Sequence, residues 1–221
     1  MADLNGMNLK EKFIVKIIRF NQFLTWPILF IIFHAFFKIS IEGRENLDKL
    51  QSSFIIISNH IAFYDSFLFR LILGYFTPHL PLRFMAVTSF KWRFLNFLSK
   101  IGIIDFIYLI FGVFTVVLGQ GIDKNLKEAT EIINQGGNVV MYPEGGIIVG
   151  GKIAPFKRGS AVLVKRAGVK VIPITFHKKN YFLFRKEICI NIGEVIHVSR
   201  AESVENITDM FYRKVGELYG G

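Results

Sequence analysis

Apolar positions along the chain follow two rhythms. Between residues 9 and 38 they recur at spacings of three and four, at Leu9, Phe13, Ile17, Phe20 and Leu24, with Lys10, Lys12, Lys16 and Arg19 among them. This is the pattern of a basic amphipathic helix lying on a membrane surface. From Phe23 to Phe37 no residue carries a formal charge. At ~1.5 Å per residue that stretch reaches about 22 Å. It is interrupted at Trp26-Pro27 and falls short of a hydrocarbon core of ~30 Å, so it predicts a segment that dips into one leaflet. His34 within it reads as a polar residue at the interface.

Beyond residue 53 the rhythm changes to short β-branched runs alternating with helical stretches. Strands are predicted at Phe54 to Ile57, Arg83 to Val87, Asn138 to Tyr142, Val169 to Thr175, Ile188 to Ile192 and Val195 to Val198. Helices are predicted at 67–73, 90–98, 123–135, 160–167 and 204–218. Pro173 should lie at an edge or a bulge. Glu42-Gly43 predicts a turn into a hairpin or loop. The run 101–118, broken only by Asp105, reads either as a buried strand followed by a helix or as a segment entering the membrane. The expected class is α/β, a mostly parallel β-sheet flanked by helices, with an N-terminal membrane-anchoring helical segment. The expected division is 1–40 for that segment and 41–221 for a single catalytic-type domain.

Composition sharpens the membrane reading. Of 221 residues 52% are hydrophobic, 24 are Phe, and Lys and Arg exceed Asp and Glu by 27 to 17, for a net charge of +10. Mean hydropathy is +0.41 and the pI near 9.7. A basic and apolar chain suits an anionic bilayer better than a nucleic acid, where the apolar excess has no role. No arginine-rich tract or zinc-ligand spacing supports a nucleic-acid partner. The single Cys189 leaves no internal disulfide and no Cys-based metal site, and reads as a buried structural thiol. No cleavable signal is visible, and the basic residues before the first apolar run place them on the cytoplasmic face of the cytoplasmic membrane.

The stretch Phe54 to Asp65 carries the candidate chemistry. An apolar strand breaks at Ser58-Asn59, delivers His60, and leaves four residues before Asp65. On one straight helix the two side chains would lie about 140° apart. Asp65 therefore reaches His60 only if His60 sits in the loop and Asp65 points back from the helix it opens. The carboxylate would then hold one ring nitrogen and leave the other as a general base. On spacing alone, a His and an Asp that merely cap a helix start is the plainer reading.

Three ordered blocks change that balance. Asn59-His60 with Asp65, then Tyr142-Pro143-Glu144-Gly145, then Val171-Ile172-Pro173-Ile174 resemble the blocks of the glycerolipid acyltransferases, whose type is the bacterial 1-acylglycerol-3-phosphate acyltransferase. The resemblance implies that His60 is the base, that Asp65 fixes its tautomer, and that Asn59, Glu144, Gly145 and Gly146 belong to the acceptor-binding block. It implies a lysolipid acceptor, an acyl-CoA or acyl carrier protein donor, membrane lipids as partners, no covalent acyl-enzyme, and no metal or prosthetic group. Backbone N–H groups near Glu144 are then candidates for an oxyanion hole. Pro173 marks a block of structural or acyl-binding role.

This chain also departs from the pattern. The family's Glu-Gly-Thr-Arg is here Glu144-Gly145-Gly146-Ile147; the block Gly102 to Tyr108 has no Arg, and Val87 stands where a Lys is usual. Either Arg83, Lys91, Arg93, Lys152, Lys157 or Arg158 grips an acceptor phosphate from another direction, or the acceptor is not a phosphomonoester. A catalytically silent lipid-binding relative has no need of the His60 and Asp65 pair. An esterase is disfavoured because no Gly-x-Ser-x-Gly elbow occurs.

Overall fold

The computed structural model describes residues 7–50, 53–87, 93–117, 119–148, 150–180 and 186–220. Its centre is β2 (Phe54–Ser58), whose five residues are all buried because helices cover both faces of the sheet. The sheet runs β1 (Phe37–Glu42), β7 (Lys186–Ile192), β6 (Lys170–Asn180), β2, β5 (Asn138–Met141), β3 (Leu82–Val87), β4 (Val113–Val116). Every neighbouring pair is parallel except β6 with β7. The chain leaves β2 toward β3 on one side and later returns from β5 to β6 on the other. The carboxyl end of β2 is thus a switch point, where open α/β sheets form their crevice.

Alternate residues feed two cores. Ile56, Val140, Ile172 and Ile174 face α1 (Leu9–Phe36) and α2 (Asp65–Ile72). Ile55, Ile57, Val139 and Val171 face α5 (Ile122–Asn134), α6 (Gly159–Ala167) and α7 (Val204–Gly220). Shorter helices α3 (Arg93–Lys100) and α4 (Ile103–Phe111) lie between β3 and β4.

Helix α1 is one continuous helix through Pro27, started by a capping box between Asn8 and Glu11. Among the described residues it is the one helix long and apolar enough to cross a membrane by length and composition. It is nonetheless docked along one side. Ile18 and Phe33 are buried, and Gln22 Nε2 donates to the carbonyls of Leu82 (2.7 Å) and Phe111 (3.1 Å) while its Oε1 accepts from Leu82 N–H (3.0 Å). The opposite side, from Leu9 and Phe13 through Phe20, Leu24, Ile28 and Ile31, is exposed. The expected boundary at residue 40 falls inside β1, whose Phe37 to Glu42 pair with β7, so the sheet begins within the 1–40 segment.

Of the hairpin or loop expected after Glu42-Gly43 the structure has the loop: Gly43 takes a left-handed conformation into a 3₁₀ turn over Arg44–Lys49, and β1 pairs parallel with the distant β7. Two other local expectations are corrected. The 101–118 run is two elements, α4 and then β4, helix before strand, and at nine residues α4 is too short to span a bilayer. They part at Gly112, where a Cβ would stand 2.7 Å from the Leu82 carbonyl and 2.8 Å from Ile18. Cys189 is only partly covered.

Pro173 lies in an interior strand, but at a bulge as expected. A regular ladder with Ile174 opposite Ile192 would put Val171 opposite Val195, yet Val171 bridges Ile196. One extra residue bows out there, so no ladder bond needs the missing N–H. Val195 to Val198 accordingly forms an isolated bridge and not a strand.

Candidate active site

His60 follows the carboxyl end of β2 by two residues, and its backbone is held from three directions. Asn59 beneath it is buried and completes the sheet with its side chain: Nδ2 donates to the Phe176 carbonyl (2.9 Å) and Oδ1 accepts from the Phe176 N–H (2.8 Å). The His60 N–H donates to Glu144 Oε2 (2.8 Å), and the His60 carbonyl accepts from the Ile148 N–H (2.7 Å). Glu144 Oε1 accepts from the Ala154 N–H (2.8 Å), so this one carboxylate ties the His60 loop to two other segments. Burial pushes the Glu144 carboxyl above its usual range, opposed by those two N–H bonds.

Asp65 is fully buried at the first position of α2 and points back over the preceding loop. Its Oδ2 lies 3.0 Å from His60 Nδ1 and accepts the N–H groups of Ile61 (2.7 Å) and Ala62 (2.8 Å). Its Oδ1 has no partner among the described residues. The carboxylate thereby selects the tautomer with hydrogen on Nδ1 and leaves Nε2 with a free lone pair. No hydrogen bond to Nε2 occurs among the described residues, and the ring keeps 17% of its side-chain surface exposed.

Tyr142, the residue after β5, supports the other side of that imidazole. The rings stack with centroids 4.0 Å apart and planes 17° apart. The Tyr142 hydroxyl meets Ser66 Oγ at 3.0 Å, one residue into α2 from Asp65. Burial drives the phenol pKa upward, so Tyr142 stays neutral. In the sequence Tyr142 stands out only as part of a block, and Ser66 not at all. The available signal was an aromatic residue placed directly at a strand end ahead of Pro143-Glu144.

Among the residues expected to bind the acceptor, Asn59 and Glu144 are occupied by backbone groups and hold the His60 loop in place. Gly145 and Gly146 form the exposed surface of the adjoining turn. Gly145 has φ 77°, and a Cβ on it would meet Lys157 Cε at 2.7 Å, so the turn and the lysine pack against each other. Lys157 is thus brought to the site. Arg83 is not: it sits near the amino end of β3, with Nη2 3.1 Å from Glu128, Nε donating to the Gly112 carbonyl and its guanidinium over the Phe114 ring. Arg158 pairs with Glu205 at 3.1 Å on α7. Lys152 is an exposed loop residue, and Lys91 and the side chain of Arg93 lie outside the described residues. A cation the sequence reading missed, Lys178 of β6, stands 4.8 Å over the ring of Tyr64, the residue before Asp65.

Fold and site together define an α/β protein with a carboxylate-oriented histidine at the sheet's switch point. The family model described as Acyltransferase matches residues 38–177, and the chain belongs to that family. It is 31% identical over 166 residues to the chloroplastic 1-acyl-sn-glycerol-3-phosphate acyltransferase LPAT1 of Arabidopsis thaliana, covering 71% of this chain and 41% of that protein. It is 28% identical over 164 residues to the 1-acyl-sn-glycerol-3-phosphate acyltransferase of Borreliella burgdorferi, covering 73% and 59%. The chain therefore spans about two to three fifths of the length of these relatives. The crystal structure of the 1-acyl-sn-glycerophosphate (LPA) acyltransferase PlsC from Thermotoga maritima superposes with a TM-score of 0.56 at 23% identity, over 96% of this chain and 84% of that one, a likeness of fold.

Proposed function

We propose that this protein is an O-acyltransferase that moves a fatty acyl group from a thioester, on coenzyme A or acyl carrier protein, to the hydroxyl of a lysolipid, with 1-acyl-sn-glycerol-3-phosphate as the first candidate acceptor. The observation that carries the reading is the 3.0 Å contact of Asp65 Oδ2 with His60 Nδ1, on a ring whose Nε2 has no hydrogen bond among the described residues. His60 Nε2 takes the hydroxyl proton as the acceptor oxygen bonds to the thioester carbonyl carbon. Asp65 stabilises the imidazolium so formed. The tetrahedral intermediate collapses by breaking the C–S bond, and the departing sulfur takes the proton back from His60. Tyr142 keeps the ring in plane throughout.

For an acceptor phosphate, Lys157 beside Gly145 and Lys178 above Tyr64 supply positive charge on two sides of the His60 loop. They would replace the arginine that Ile147 displaces. The exposed side of α1 supports association with the membrane from which a lysolipid comes, on its cytoplasmic face by the placing of Lys10, Lys12, Lys16 and Arg19.

A second reading rests on Gly146-Ile147 itself: Ile147 is exposed beside the site, which suits an acceptor without a terminal phosphate. Purified protein given acyl-CoA with lysophosphatidic acid, and in parallel with lysolipids lacking that phosphate, separates the two. Product only from lysophosphatidic acid, lost in Lys157→Gln/Lys178→Gln, supports the first reading. Product only from phosphate-free acceptors supports the second, and no product from either acceptor, with acyl-CoA and with acyl-loaded acyl carrier protein alike, overturns acyl transfer to lysolipids.

A further inference from the structure

Away from the catalytic loop, the amino-terminal half of α1 and the segment after α2 enclose a groove of about 540 Å³, within the range of small-ligand sites. Lys16 and Arg19 line it, one turn apart on α1, together with Phe20, Phe23, Tyr75 and Phe76. Neither cation has an ion-pair partner among the described residues.

The groove is a built feature. Its two walls are joined by Arg70, a buried guanidinium that donates to the carbonyls of Gln22 on α1 (2.6 Å) and of Gly74 (2.6 Å) and Tyr75 (3.3 Å) on the opposite wall. Tyr75 in turn packs on Phe23 at 4.5 Å and on Trp26 at 5.3 Å. At one rim lies Phe20, 66% exposed, which also belongs to the apolar stripe running on through Leu24, Ile28 and Ile31; at the other lies Phe76, 89% exposed.

We infer that this groove binds the headgroup of an anionic phospholipid, with its phosphodiester between Lys16 and Arg19 and its acyl chains descending into the bilayer past the exposed stripe of α1. A soluble anion would use the two cations and leave the aromatic walls and the adjoining stripe without a role. A zwitterionic lipid would bring a quaternary ammonium to a doubly cationic site. The docked side of α1 fixes which lipids meet the groove: with Ile18 and Gln22 against the domain, the helix lies along the bilayer surface and carries Lys16 and Arg19 at headgroup depth. The site lies about 20 Å of helix from Phe33, which packs beside Tyr64 near the catalytic loop, so it is separate from acyl transfer.

Native mass spectrometry of the full-length protein from detergent containing phosphatidylglycerol or phosphatidylcholine tests this. One phosphatidylglycerol should be retained, with at least ~10-fold preference over phosphatidylcholine. Lys16→Gln/Arg19→Gln should lose that preference, and Lys10→Gln/Lys12→Gln, which removes equal charge from the same helix outside the groove, should keep it. Equal loss in both variants, retention in the first, or absence of preference in the wild type overturns the site. Displacement of phosphatidylglycerol by millimolar inorganic phosphate also overturns it, by showing a free-anion site. The readout is binding, so its failure would leave the acyl-transfer reading intact.

Discussion

The ring of Tyr142 lies flat against that of His60, 4.0 Å between centroids, and its hydroxyl is fixed to Ser66 Oγ at 3.0 Å. Asp65 controls which nitrogen carries hydrogen, and Tyr142 controls the plane in which the other one points. Tyr142→Phe keeps the stack and loses one part-buried hydrogen bond, so it should cost about 1 kcal/mol of stability and lower kcat only a few-fold. Tyr142→Leu fills much of the space without the stack and should lower kcat by at least ~10-fold with little change in KM. Steady-state kinetics of both variants checks this; equal kcat values would remove Tyr142 from the positioning of His60.

Asn59 replaces a backbone pair with its side chain amide. Asn59→Ala leaves the Phe176 N–H and carbonyl buried without partners, and should destabilise the protein by about 2–4 kcal/mol. Urea denaturation measures the loss. A change under ~0.5 kcal/mol would mean that the strand end closes without the clamp.

Gln22 should be what keeps α1 on the domain. In Gln22→Leu the Leu82 N–H and the Leu82 and Phe111 carbonyls lose their partner. Hydrogen exchange of α1 amides around Ile18 should then rise by at least ~10-fold while β2 amides stay protected. Unchanged exchange in α1 would show that its apolar contacts and its remaining hydrogen bonds, Arg70 Nε to the Gln22 carbonyl and Asn21 Nδ2 to the Ile110 carbonyl, suffice to hold it.

The strands β2, β3, β5, β6 and β7, and the way Asp65 would have to point to reach His60, were legible in the sequence because their signals are local. Phe54 to Ile57 is an unbroken β-branched run, and the requirement that Asp65 point back from a helix start follows from five residues of separation. The bracing of that dyad was not legible. Asn59 reaches Phe176, Glu144 reaches His60, and Tyr142 reaches Ser66, all across long separations that only the parallel order of β5, β2 and β6 closes. The docking of α1 was hidden for a related reason: a Gln on an amphipathic helix reads as a solvent-facing residue until Leu82 and Phe111 are placed beside it. In the 101–118 run, apolar letters concealed the break at Gly112, whose need for glycine comes from Leu82 and Ile18.

His177 offers a pH test. Its ring stacks on Tyr219 at 4.0 Å, its Nε2 is buried without a partner among the described residues, and burial pulls its pKa below 6.5, with Lys179 acting in the same sense. The unfolded chain then binds more protons than the folded one between the two pKa values. The stability His177 contributes is present above about pH 6.5 and is lost as pH falls through the lower folded value. His177→Phe keeps a ring against Tyr219 and removes the titration. Between pH 7.5 and 5 the wild-type Tm should fall more than the variant's; parallel curves would show that His177 does not titrate in that range.

Single-turnover acyl transfer in His60→Ala tests whether His60 Nε2 takes the acceptor proton. The variant keeps the Asn59 clamp and the Glu144 bonds to backbone N–H groups, so its circular dichroism spectrum and detergent-solubilised yield should match the wild type. Acyl transfer to the lysolipid hydroxyl should slow by at least ~10³-fold. Near-wild-type transfer by a folded His60→Ala protein would contradict it.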